Sequence, residues 1–101
     1  MKTFINKLAA AEGQKATLQG WVSNSRDSKG LVFIVLRDGT GFCQCVINQE
    51  VVGNEAFEAA KRLGQEGSIT LTGTVVKDER QLGGYELQVE SLEVIGESED
   101  F

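Results

Sequence analysis

Gly30-Leu31-Val32-Phe33-Ile34-Val35-Leu36-Arg37-Asp38-Gly39-Thr40-Gly41-Phe42-Cys43-Gln44-Cys45-Val46-Ile47 is the stretch that decides how this chain folds. Two runs rich in Val, Ile and Phe, side chains that fit a pleated, half-buried surface, flank Arg37-Asp38-Gly39-Thr40-Gly41. Asp-Gly between apolar runs predicts a hairpin, because Gly takes a positive φ without a Cβ clash. One strand carries Phe33 and the other Gln44. An aromatic face beside an amide on a sheet suits an unstacked base. The rest of the chain reads as the closure of a barrel around this hairpin.

Upstream, Thr3 is placed to cap a short helix over residues 4–11, with Phe4, Ile5 and Leu8 facing inward and Gly13 ending it. A first strand is expected over residues 15–26. Gly20 within it marks a bend or a close backbone approach. Residues 27–30 form the first turn, and the hairpin strands cover 31–37 and 42–48. A helix follows: Asn54 is its N-cap, Glu55 and Glu58 lie in its first turn, and Lys61 and Arg62 lie in its last, an order that complements the helix dipole. Phe57, Ala60 and Leu63 make its apolar face, and Gly64 or Gly67 stops it. In the fourth strand, residues 68–77, Ile69, Leu71, Gly73 and Val75 alternate with Thr70, Thr72 and Thr74. A polar loop, 78–84, leads to a fifth strand over 85–95 and then an acidic tail. Three strands, a helix and two strands is the order of an OB-fold, the five-stranded Greek-key barrel. The expected class is therefore all-β, as one domain over residues 1–101, with a helix between strands three and four and a short N-terminal helix.

Composition sets the outer bounds. The 101 residues suffice for one modest core. No apolar run approaches the ~20 residues that span a bilayer, and no basic-then-apolar leader is present, so a cytoplasmic protein is expected. Cys43 and Cys45, two apart on one strand, point to the same face, which disfavours a bridge between them. With no His in the chain they also give too few ligands for zinc. Two buried thiols are the expectation. The net charge of −5 argues against a polyanionic partner, yet the five acids of residues 90–101 account for all of it. Residues 1–89 are formally neutral and can still present a local basic rim, though they cannot hold a polyanion strongly by charge alone.

Catalytic chemistry finds little support. There is no His, no phosphate-binding Gly-Lys-Ser/Thr loop and no Gly-x-Ser-x-Gly elbow. Phe33 is open to two readings. Alternation sets Leu31, Phe33 and Val35 on one face and Val32, Ile34 and Leu36 on the other, and both faces are apolar. Phe33 is then either core in a strand buried on both sides or an exposed stacking platform. Gln44 interrupts an apolar run; it is either a plain outward polar residue or an amide able to donate to and accept from a base edge such as uracil. Arg26 and Lys29 near the first turn, and Lys77 and Arg80 near the fourth, could meet phosphates, or serve only solubility.

Gly20-Trp21-Val22, Arg26-Asp27-Ser28-Lys29-Gly30 and Phe33-Ile34-x-Leu36-Arg37-Asp38-Gly39-Thr40-Gly41-Phe42-x-Gln44 closely resemble the N-terminal anticodon-binding domain of class IIb aminoacyl-tRNA synthetases, the asparaginyl, aspartyl and lysyl enzymes. Gly83-Gly84-Tyr85-Glu86-Leu87 and the ending Glu97-Ser98-Glu99-Asp100-Phe101 look most like the asparaginyl branch. The resemblance spans essentially the whole chain. It implies that Phe33 stacks on the middle anticodon uridine, that Gln44 reads it, that Arg26 contacts the loop and that Glu86 helps read a neighbouring base. Where family members carry further Arg beside Arg26, this chain has Asn24 and Ser25, which implies weaker phosphate binding. The implied partner is a tRNA anticodon loop, that of tRNA-Asn for the asparaginyl branch. The isolated domain is expected to be monomeric and its parent enzyme a homodimer. No cofactor or metal is implied for this chain. The ATP-dependent ligase chemistry belongs to a catalytic domain expected beyond the tail at 96–101, so these residues alone should not aminoacylate. Two rival readings share the scaffold: a general single-strand-binding module and a protein-interaction barrel.

Overall fold

A computed structural model describes residues 3–62, 67–80 and 84–96. A 3-10 helix, Ile5–Ala11, precedes strands β1 (Lys15–Ser28), β2 (Leu31–Arg37) and β3 (Phe42–Asn48). Helices α1 (Gln49–Val52) and α2 (Asn54–Arg62) follow, then β4 (Ser68–Lys77) and β5 (Tyr85–Gly96). The strands close into a barrel in the order β1-β2-β3-β5-β4. Among these five strands the β3–β5 seam is parallel and the four other pairings are antiparallel. This is the five-stranded OB barrel that the strand order predicts.

The period-two pattern sorts side chains between core and surface. Val32, Ile34 and Leu36 on β2, Cys43, Cys45 and Ile47 on β3, and Ile69, Leu71 and Val75 on β4 are fully buried. Leu31, Phe33 and Val35 lie in the opposite phase and stay half-buried. Cys43 and Cys45 are free thiols inside the barrel. Hydrogen bonding to Cys43 and burial push the Cys45 thiol well above its ordinary range. Ile5, Leu8 and Ala11 of the 3-10 helix, and Phe57 and Ala60 of α2, join the same core. The first group enters beside the β2–β3 hairpin and the second beyond the far end of β3.

Backbone closure depends on two glycines. A Cβ on Gly20 would run into the Arg37 carbonyl, and one on Gly73 into the Gln88 carbonyl. Gly73 also adjoins a register shift in the β4–β5 ladder. The close approach expected at Gly20 is thus present.

Three local expectations are corrected. Thr3 does not cap the first helix: the position before it is Phe4, which makes no side-chain cap. The caps come from far along the chain. The Ile5 N–H donates to Asp38 Oδ2 at 2.8 Å and the Asn6 N–H to Thr40 Oγ1 at 3.1 Å. Phe4 faces outward, not inward, because the helix turns Ile5 and Leu8 to the core instead. Asn54 is the first residue of α2 rather than its cap. The cap is Asn48, which opens α1 by accepting the Glu50 N–H, and Gly53, at φ 91°, joins the two helices. Leu63, Gly64, Gly83 and the tail 97–101, each given a part above, lie outside the described residues.

Candidate nucleic-acid interface

The outer face of β1, β2 and β3 is built in rows set by register. Arg26 pairs with Phe33, and Phe33 with Val46. Asn24 pairs with Val35, Val35 with Gln44, and Gln44, across the parallel seam, with Glu86. Phe33 and Gln44 therefore share one face in adjacent rows. Of the two places that alternation allows for Phe33, the fold selects the outside, half-buried.

A bulge makes this arrangement possible. The β1–β2 register shifts between Val22 and Asn24. Trp21 faces out and Val22 is buried; after the shift, Asn24 and Arg26 face out. Unbroken alternation from Val22 would have aimed Arg26 into the barrel. Instead its guanidinium carbon sits 4.9 Å from the centre of the Phe33 ring. Asn24, Arg26, Phe33, Val35 and Gln44 line a cleft of about 110 Å³.

Glu86 follows Gln44 in the same row, across the parallel β3–β5 seam from it. Burial raises its carboxyl above the ordinary range, and the charge of Asp78 adds to the rise; the amide of Gln88, which donates to it, and the charge of Arg80 oppose it. The remaining cations are spread out. Lys29 is exposed in the β1–β2 turn, past Phe33. Lys77 is exposed at the end of β4, one residue out of phase with Val76, the partner of Glu86. Arg80 is held by Asp78, with Nε at 3.1 Å from Oδ1 and Nη2 at 3.3 Å from Oδ2. The structure thus brings Arg26, Phe33, Gln44 and Glu86 together and leaves Lys29, Lys77 and Arg80 at the margins. Asn24, Val35 and Gln88 belong to the same surface. Alternation already sets Val35 on the Phe33 face, whereas the outward turn of Asn24 depends on the bulge and the place of Gln88 on the β3–β5 seam.

Among the described residues no group of three or more His, Cys, Asp or Glu side chains is placed to hold a metal ion, and no helix is long and apolar enough to cross a membrane. The surface offers ring faces, amide edges, one half-buried carboxylate and scattered cations. That chemistry suits an unpaired nucleotide strand, which offers flat bases and spaced phosphates.

The closed barrel and this face define an OB module with a small cleft walled by a ring, amides and an arginine. Residues 16–95 match the family model for the OB-fold nucleic acid binding domain of the tRNA anticodon type, and the chain belongs to that family. It is similar to asparagine–tRNA ligases, 47% identical over 97 residues to that of Symbiobacterium thermophilum and 48% to that of Chloroflexus aurantiacus. Each match covers 96% of this chain and 22% of the relative, so the chain spans about a fifth of the length of these ligases. Among solved structures, the crystal structure of asparaginyl-tRNA synthetase from Pyrococcus horikoshii superposes with a TM-score of 0.90 at 40% identity, over 99% of this chain and 24% of that one. What residues 16–95 match is the nucleic-acid-binding domain of that family.

Proposed function

We propose that this chain is the anticodon-binding domain of an asparagine–tRNA ligase, and that it holds the anticodon loop of tRNA-Asn on the β1–β2–β3 face. The observation that carries the reading is the meeting of Arg26, Phe33 and Gln44 around one cleft, in a chain 47–48% identical to such ligases over nearly its full length.

In this reading the middle base, a uridine, stacks on the Phe33 ring. Arg26 already lies over that ring, so the arriving base displaces the guanidinium, which then meets a phosphate. The Gln44 amide both donates to and accepts from the base edge. Glu86, beside Gln44 in register, accepts from an N–H of a neighbouring base. Lys29 on one side, and Lys77 and Arg80 on the other, add phosphate contacts at the margin. Because residues 1–89 are formally neutral, binding is modest and falls with salt, each phosphate contact adding about −0.7 to the log–log slope for a single strand. The domain works as a monomer within a homodimeric, cytoplasmic ligase whose chemistry lies outside these residues.

The test is titration of the chain with anticodon stem-loops that differ only at the middle base, uridine against cytidine. The expected result is preference for uridine, reduced by Gln44→Ala. Equal binding of the two by the unmodified chain points instead to a general single-strand module. No binding at low salt points to a protein-interaction barrel.

A further inference from the structure

A second arginine–aromatic pair stands on the same face. Trp21 pairs in register with Arg37, and Arg37 with Phe42, so these three side chains form one row across β1, β2 and β3. The Arg37 guanidinium carbon lies 5.7 Å from the centre of the Trp21 ring. Trp21 is 43% exposed and Phe42 44%, large values for such apolar side chains. The row of Asn24, Val35 and Gln44 separates this pair from Arg26 and Phe33. The face thus runs from cation and ring, through amides, to cation and ring again. On the side of Trp21 away from Arg37 and Phe42, a cleft of about 260 Å³ opens between Trp21, Phe4, Gln19, Asp38 and Ser68.

We propose that Trp21, with Arg37 and Phe42, is a second base-stacking site, which takes an unpaired base of the same strand beyond the one held at Phe33. The proposal rests on the reading of this face as the surface that binds the anticodon loop. Arg37 is four residues from Phe33 along β2, about 13 Å at the rise of an extended strand. Such a gap exceeds the separation of two bases stacked on each other, so the two sites take bases apart in the loop and the amides lie under the chain between them. Indole and guanidinium planes both accept a base face. Phe42 borders the site from β3. The row is continuous with the Gln44 row, and it fits an OB surface that engages several nucleotides.

Trp21 is the only tryptophan of the chain, so its fluorescence reports this site directly. A uridine-centred anticodon stem-loop, labelled for anisotropy, is titrated into the unmodified chain while the tryptophan emission is followed. Saturable quenching that tracks the anisotropy is expected. Trp21→Ala and the more conservative surface change Phe42→Ala are each expected to lower affinity by about 5- to 150-fold, the range for losing one stacked base; thermal melts establish that each variant is folded. If Trp21→Ala does not fold, Phe42→Ala and the emission of the unmodified chain carry the test. Binding with unchanged emission and with Phe42→Ala within twofold of the parent, while Phe33→Ala still weakens it, overturns the second site and leaves the first standing. A chain that binds no stem-loop overturns both.

Discussion

Arg26 lies over Phe33, its guanidinium carbon 4.9 Å from the ring centre, although the two residues sit on different strands and the sequence alternation of β1 would separate them. The ring is therefore half-covered in the free protein by a group that can leave. An exposed cation–aromatic contact contributes about 0.5–1 kcal/mol, a small barrier to displacement by a base. Phe33→Ala is expected to cost clearly less stability than the roughly 3–5 kcal/mol of a core phenylalanine, and to weaken stem-loop binding by about 1–3 kcal/mol. Thermal melts and titrations on the same variant separate the two effects. A stability loss of core size places the ring's main role in packing.

Glu86 gives a prediction of opposite sign for folding and for binding. Burial raises its carboxyl above the ordinary value of 4.5, so the folded chain holds that proton more tightly than the unfolded chain does. Its contribution to stability is present below the ordinary value and is lost as pH rises through the raised one. At neutral pH the half-buried carboxylate is thus a cost, and Glu86→Gln is expected to raise the melting temperature. The same change should weaken stem-loop binding, since the acceptor is halved. In the unmodified chain binding should fall as pH drops through the raised value. A pH-independent affinity from neutrality down to the ordinary carboxylate range removes Glu86 from the interface.

Asp38 ties the N-terminal helix to the hairpin. Its carboxylate accepts the Thr40 hydroxyl at 2.6 Å, the Thr40 N–H at 2.8 Å and the Ile5 N–H at 2.8 Å. Partial burial would raise its carboxyl, but these bonds together with the Gly41 N–H outweigh it and hold the carboxyl below its usual 3.8. The stability it adds is present above that value and is lost as pH falls through the lowered one. Asp38→Ala leaves the Ile5 N–H without its acceptor, at a cost of about 1–3 kcal/mol. Hydrogen exchange at Ile5 and Leu8 should accelerate more than exchange in β4. Uniform acceleration across the barrel refutes a local tether.

Gly73 is set by contact rather than by φ. A Cβ there meets the Gln88 carbonyl across the β4–β5 ladder, and main chain cannot move aside without breaking the pairing. Gly73→Ala is expected to destabilise by at least the upper part of the ~1–3 kcal/mol typical of overpacking. Gly13→Ala makes the comparison: nothing lies within reach of its Cβ, and only its φ of 78° opposes the change. Denaturant melts that rank Gly13→Ala as the more damaging variant refute the close-approach argument.

The strands were legible because their information is local. Val32, Ile34 and Leu36 against Leu31, Phe33 and Val35 already show a period of two, and Asp38-Gly39 already shows the turn. The helix over residues 54–62, the buried thiols and the β4 alternation follow from the same short-range chemistry. The candidate site was half legible. Phe33 and Gln44 could be named, yet nothing in two apolar faces says which one the barrel will bury.

Tertiary structure decided what sequence distance hides. The bulge after Val22 reverses the phase of β1 and brings Arg26 to Phe33, because one unpaired residue turns every later side chain to the other face. The parallel β3–β5 seam sets Glu86 beside Gln44, and the caps of the first helix come from Asp38 and Thr40. By itself the sequence determined where the strands and turns lie, since side-chain alternation and glycine geometry act over a few residues. Which faces meet, and which arginine covers which ring, was left to register, an energy shared between strands that no single segment contains.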